Sequence, residues 1–198
     1  MAQDHGERRV EPTDGELVER ARAGDREAVD VLLQRYQRRL LGVVVGMVRN
    51  PDDAREIIQE TFVRVFRSLD SFKGDSSFYT WLYRIAMNLA IDHQRREGKR
   101  PSVEFDEGVA HTEESVGRGS AVIGTDPFDR VRSRELGQKI FEAIESLTPD
   151  HRAVILLREI DGLSYEEISE VLQCSMGTVM SRLHYARKKL QARLQEMM

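Results

Sequence analysis

Apolar side chains recur along this chain at three- and four-residue steps, in runs of helical length separated by clear breaks. Leu17, Val18 and Ala21 open the first run, with Thr13 and Glu16 as a capping box in front of it and Gly24 ending it. Asp25 caps a second run through Val29, Leu32, Leu33, Tyr36, Leu40, Leu41, Val44 and Met47, read as the core of a helical hairpin layer, which Asn50-Pro51 stops. Asp52 or Asp53 starts a third, striped by Ile57, Thr61, Val65 and Leu69. Beyond the loop Lys73 to Ser77, with Ser76 or Ser77 as the cap, Phe78, Trp81, Leu82, Ile85, Ala86 and Leu89 fall on one helix face.

The period lapses from Gly98 to roughly Phe128. Glycines stand at 108, 117, 119 and 124, and seven acidic residues face two basic ones between Ser102 and Arg130. This composition predicts a flexible acidic linker over 98–130, as the polar residues 1–12 predict a mobile tail. Asp126-Pro127 opens a second helical unit, with Val131, Leu136, Ile140, Phe141, Ile144 and Leu147 on one face. Thr148-Pro149, a cap followed by proline at the first helical position, starts a helix holding Val154, Ile155, Leu157 and Ile160. The only β-like run, Val43 to Val45, sits inside a helical period. The chain therefore reads as all-α, with two small helical domains over 13–97 and 131–198.

The last unit carries the most specific pattern. Asp161-Gly162 turns the chain into Leu163 to Leu190, where Ser164 and Glu167 form a capping box, so a helix begins at Tyr165 with Ile168, Val171 and Leu172 inside. After Gln173 to Gly177, Val179, Leu183, Ala186 and Leu190 stripe a second helix, read from Thr178. Thr178, Ser181, Arg182, Tyr185 and Lys188 or Lys189 point the other way. From Thr178 to Gln195 there are five basic residues and no acidic one, in a chain whose net charge is −4. A short capped helix, a tight turn and a basic helix together fit a helix-turn-helix whose second helix enters a major groove; a merely solvated basic face is the alternative.

Two further faces invite function. Glu56, Gln59, Glu60, Arg64 and Arg67 make a mixed-charge outer face on the third helix, either a solvated surface or an interface. Tyr79, Tyr83, Asn88, Asp92 and Arg95 lie off the apolar stripe of the fourth, whose segment from Tyr79 to Arg100 holds five basic against two acidic residues. Exposed aromatics beside cations suit single-stranded nucleic acid, and an amide such as Asn88 can read a base edge; Phe78 and Trp81 are equally well placed as core.

The net negative charge limits nucleic-acid affinity to local patches and implies a helping partner. Cys174, the single cysteine, fits a reducing cytosol and reads as a small buried thiol in the turn rather than a redox sensor. No signal peptide or eighteen-residue apolar run is present, no Cys/His metal spacing, phosphate-cradling loop or nucleophile elbow occurs, and no cofactor or metal is expected.

With both units in view, the motifs DAREIIQETFVRVFRSLDSF, FKGDSSFYTWLYRIAMN, LREIDGLSYEEISEVL and GTVMSRLHYAR resemble the extracytoplasmic-function (ECF) sigma factors of bacteria, in particular the sigma-E type, over about residues 13 to 195. The resemblance implies a non-enzymatic, cytoplasmic specificity subunit whose region 2 (13–97) binds core RNA polymerase and the −10 element and whose region 4 (131–198) binds the −35 element. It implies contacts from Glu56, Gln59 and Glu60 to the β′ clamp helices, with the β flap as a further polymerase contact. It implies a pocket for a flipped −10 base at Ser68, Phe72, Lys73, Ile85 and Asn88. Trp81 stands where primary factors insert a tryptophan pair, but Leu82 follows it, so melting depends on a near-perfect promoter. For −35 recognition it implies Thr178, Met180, Ser181, Arg182, His184, Tyr185, Arg187 and Lys188. Relatives carry basic residues at the positions of Met180 and Tyr185 and an aromatic at that of His184, which leaves Ser181, Arg182 and Arg187 as the firmer contacts. An anti-sigma factor, often membrane-anchored, is the implied regulator. The rival readings are a stand-alone helix-turn-helix regulator and a protein-binding adaptor.

Overall fold

The computed structural model describes residues 11–98 and 127–197, with the side chains of 127–134 left out. The tail over 1–12 and the linker over 98–130 fall almost wholly outside that description. Eight helices and no strand are found among the described residues, which is the all-α architecture expected.

In the first unit, α1 (Asp14–Arg22) begins at the Thr13–Glu16 capping box, and α2 (Arg26–Val48) at Asp25, whose carboxylate accepts from Ala28 N–H. The third helix, α3 (Pro51–Ser68), starts one or two residues before Asp52 or Asp53. Asn50 caps it by accepting from Asp52 N–H, because Pro51 at the first helical position has no N–H to leave unpaired. A single 3-10 turn, Leu69–Ser71, tightens the exit from α3, and α4 (Phe78–Glu97) starts from the Ser77 cap. Leu32, Leu40, Val44 and Met47 of α2 pack against Ile57, Thr61 and Val65 of α3 and Leu82, Ala86 and Met87 of α4, all buried.

The second unit comprises α5 (Pro127–Glu145), α6 (Pro149–Ile155), α7 (Tyr165–Leu172) and α8 (Met176–Glu196). The last helix begins two residues before Thr178, because Ser175 is its cap and accepts from Thr178 N–H. Gln173 takes a left-handed conformation, φ 50°, to make the sharp entry.

Three residues expected in the core are exposed: Leu136 by 52%, Ile140 by 41% and Ile160 by 61%. Among the α5 residues whose burial is described, only Ala143 and Ile144 near its end are buried, with Leu147 just beyond it, so Leu136 and Ile140 stand clear of the packed body. Ile160 ends a π-helical turn, Leu156–Ile160, that prolongs α6. The wider turn rotates it off the stripe that Val154 and Leu157 share.

The two units press together. One apolar cluster runs continuously from Leu17 to Ala186. Leu156 nestles against Gly46 of α2 so closely that a Cβ there would lie 2.7 Å from its Cδ2. Arg152 is 3% exposed and donates across the boundary to the Met47 carbonyl at 2.7 Å and Gln94 Oε1 at 3.3 Å. Arg49 pairs with Glu145 at 2.9 Å.

Candidate nucleic-acid interface

Glu56, Gln59 and Glu60 all stand exposed on the outer face of α3, with Arg64 Nε bound to Glu60 at 2.7 Å. Beside them the structure places two apolar side chains the sequence reading did not single out, Val63 at 41% exposed and Phe66 at 57%. The signal was present: 56, 59, 63 and 66 follow helical spacing, and only the charges among them drew notice. The outer face of α3 thus combines exposed apolar and charged side chains.

The 3-10 turn after α3 sets the next site. Ser68 Oγ donates to the Arg64 carbonyl at 2.5 Å and Ser71 Oγ to the Ser68 carbonyl at 2.6 Å, so both hydroxyls are spent on shaping the turn. Phe72 is buried, with ring centroids 5.0 Å from Trp81 and, edge-on, 6.1 Å from Phe78. These rings floor the loop Lys73 to Ser76, which bends at Gly74 with φ +79°. Phe72, Lys73 and Trp81 are therefore brought together, and with Arg84 they line one wall of a cleft of about 760 Å³. Ile85, half-buried, and exposed Asn88 continue the Trp81 face along α4 at helical spacing, outside that cleft. The opposite wall is the turn of the second unit, including Gln173, Cys174 and Ser175.

The expected row of exposed aromatics on α4 is not there. Tyr83 is fully buried and Tyr79 half-buried, their rings packed 4.2 Å apart and tilted by 41° beneath Asp161 of the second unit. Packing between the units, which no local pattern encodes, covers that face.

On α8, one face gathers Met180, His184, Arg187 and Lys188 around a groove of about 540 Å³ shared with Tyr165. The adjoining face carries Thr178, Ser181, Arg182 and Tyr185. Thr178 Oγ1 lies 2.9 Å from Ser175 Oγ and Ser181 Oγ donates to the Thr178 carbonyl at 3.0 Å, so these hydroxyls also stabilise the first turns. Met180 and Tyr185 are 50% and 61% exposed, and the Tyr185 ring meets His184 edge-on at 5.4 Å. The two arginines are held by carboxylates: Arg187 binds Glu159 at 2.7 Å, and Arg182 lies 3.6 Å from Asp150 with Cys174 Sγ at 4.0 Å. The Glu159 bond holds the Arg187 pKa above its usual value. A phosphate oxygen can replace such a carboxylate without the guanidinium changing place. Among the described residues there is no group of carboxylate, histidine or thiol side chains that could hold a metal ion, and no helix long and apolar enough to cross a membrane.

Comparison with known proteins agrees with this layout. Sigma-70 region 2 matches residues 32–100 and sigma-70 region 4 matches residues 137–190. The ECF RNA polymerase sigma-E factor of Escherichia coli K12 is 44% identical over 184 residues, 92% of this chain and 95% of that protein. That of Haemophilus influenzae is 39% identical over 94% and 97%. Among solved structures, CnrH in complex with the cytosolic domain of CnrY superposes with a TM-score of 0.67 at 25% identity, covering 92% of this chain and 97% of that one. The sigma factor RpoE of Bartonella quintana, in complex with the anti-sigma factor NepR, gives 0.58 at 27% identity, covering 82% and 95%. With this likeness running through both helical units, the chain belongs to the extracytoplasmic-function sigma factors of the sigma-70 family.

Proposed function

We propose that this protein is an alternative sigma factor of the cytoplasm: it binds core RNA polymerase, directs initiation at promoters bearing its −10 and −35 elements, and carries out no covalent step. Residues 13–97 act as region 2 and residues 131–198 as region 4. Glu56, Gln59 and Glu60, joined by Val63 and Phe66, take the polymerase β′ clamp helices. Ser68, Phe72, Lys73, Trp81, Ile85 and Asn88 receive the −10 strand, and α8 from Thr178 to Lys188 reads the −35 duplex. An anti-sigma factor is the regulating partner, a reading supported by the company in which the Bartonella relative was solved.

The observation that carries this reading is the division of labour. An aromatic-floored loop lies on one helical unit and a basic, hydroxyl-bearing helix on the other. A stand-alone repressor has need of only the second.

Strand opening costs roughly 1.4 kcal/mol per base-pair step, and each captured base returns about 1–3 kcal/mol. These terms nearly cancel, so an open promoter forms only when polymerase adds its own contacts. Run-off transcription with bacterial core enzyme tests the assignment. Promoter-dependent transcripts are expected with the protein and none without it, and the protein alone retards promoter duplex weakly. Tight, specific retardation without polymerase, or transcripts indifferent to the protein, would refute it.

A further inference from the structure

Arg39 of α2 with Tyr79 and Tyr83 of α4 makes a concave polar site on the first unit, and the turn of the second unit fills it. The Asp161 side chain is only 4% exposed. Arg39 Nε donates to its Oδ1 at 3.0 Å, a guanidinium NH2 donates to its backbone carbonyl at 3.0 Å, and the Tyr79 hydroxyl donates to Oδ2. The Arg39 guanidinium also lies over the Tyr79 ring, 5.3 Å from its centroid, which fixes both. Behind them the Tyr83 hydroxyl is buried with no hydrogen bond of good geometry among the described residues, facing the same carboxylate. Gly162, at φ +79°, bends the chain so that Asp161 leads.

The first unit's own packing does not call for this arrangement. Without Asp161, a guanidinium and two phenols would converge with no anionic acceptor among them, and the Tyr83 hydroxyl has no partner of its own within the first unit among the described residues. Cation and hydroxyls at that spacing match a carboxylate.

We propose that Arg39, Tyr79 and Tyr83 form a carboxylate-binding site that latches the free chain shut, with Asp161 as its occupant in cis. The inference rests on the sigma-factor reading and supplies a structural cause for the weak promoter binding expected of the isolated protein. In the latched form the −10 loop and the helix-turn-helix turn line opposite walls of a single cleft. Promoter elements centred near −10 and −35 are separated by roughly 85 Å of duplex at 3.4 Å per base pair. Both cannot be read until the units part. Affinity for polymerase is then reduced by the fraction of chains that are open.

The test compares the full chain with Asp161→Asn, Arg39→Met and the double variant by small-angle X-ray scattering, circular dichroism and titration with core polymerase. Each single variant is expected to keep its helix content, gain radius of gyration and bind polymerase about tenfold more tightly or better. The double variant gains less than the sum of the two single ones, because the Arg39–Asp161 side-chain contact is common to both while the Tyr79 bond and the Arg39 bond to the backbone carbonyl are each touched by only one. An Asp161→Asn chain as compact as its parent overturns the latch, and expansion with unchanged polymerase affinity overturns its inhibitory role. Failure of the parent to bind polymerase sinks the sigma-factor reading instead, and scattering still decides the latch.

Discussion

Arg152 NH1 of α6 donates a 2.7 Å hydrogen bond to the Met47 carbonyl at the C-terminal end of α2. That carbonyl is among the last four of its helix, which have no partner within it, and it lies at the negative end of the helix dipole. The same guanidinium donates to the carbonyls of Glu145 at 2.6 Å and Leu147 at 3.4 Å, so one side chain ties the start of the second unit to the end of a helix in the first. Burial and neighbouring Arg49 lower its pKa, against Glu145, yet a guanidinium keeps its proton through any ordinary pH. Arg152→Ala should therefore cost about 2–4 kcal/mol, and Arg152→Lys should recover little because an ammonium lacks the planar fork. Urea denaturation measures both; full rescue by lysine would show that charge alone matters.

Phe66→Ser on α3 should leave stability within about 0.5 kcal/mol, since the side chain is mostly in solvent, while weakening polymerase binding tenfold or more if the ring is an anchor of that interface. Fluorescence anisotropy with core enzyme reads the second effect. Binding equal to that of the parent would return α3 to the status of a plain surface.

Asn88 is exposed on α4, so Asn88→Ala removes no packing and improves helix propensity slightly. The expected result is unchanged or raised thermal stability together with fewer open complexes, confined to promoters with an intact −10 element. Permanganate footprinting of the melted strand is the direct assay, and normal footprints would remove Asn88 from the −10 surface.

Arg182→Ala should weaken −35 binding by polymerase carrying the protein and lower the slope of log affinity against log salt by roughly 0.9, the loss of one phosphate contact. Equal slopes for variant and parent would mean that Arg182 stays with Asp150 in the complex.

Three of the five tyrosines should resist alkali. Burial, then the Asp14 carboxylate, pushes Tyr36 up to about 12, and burial followed by Asp161 raises Tyr79 and Tyr83 further. A phenol whose pKa is raised on folding stabilises the native state below the unfolded pKa near 10 and ceases to as pH climbs through the native value. Absorbance at the phenolate band should show these groups silent near pH 10 and ionising together with unfolding. Five tyrosines titrating as one class near 10 would contradict the packing.

The local grammar of the chain was largely readable. Capping boxes at Thr13 and Ser164, the Thr148-Pro149 start and the stripes through Ile57, Thr61 and Val65 announce themselves because the interactions span three or four residues. Asn50 and Ser175 were passed over as caps because better-known acidic and hydroxyl candidates, Asp52 and Thr178, stand just beyond them. What could not be read was how one unit lies on the other. Tyr79 and Tyr83 looked like an open stacking platform because Asp161, the residue that covers them, comes about eighty positions later in the sequence. The outward Ile160 escaped for a related reason, since a π turn changes which face a residue occupies without changing the sequence spacing.

The carboxylates of Glu159 and Asp150 give α8 its own built-in counter-ions. A chromosome offers on the order of a million or more anonymous phosphate sites for every genuine one. If α8 reads DNA as proposed, cations already partly neutralised hold it less tightly to all of these, so that the free chain stays in circulation until the enzyme carries it to the correct address.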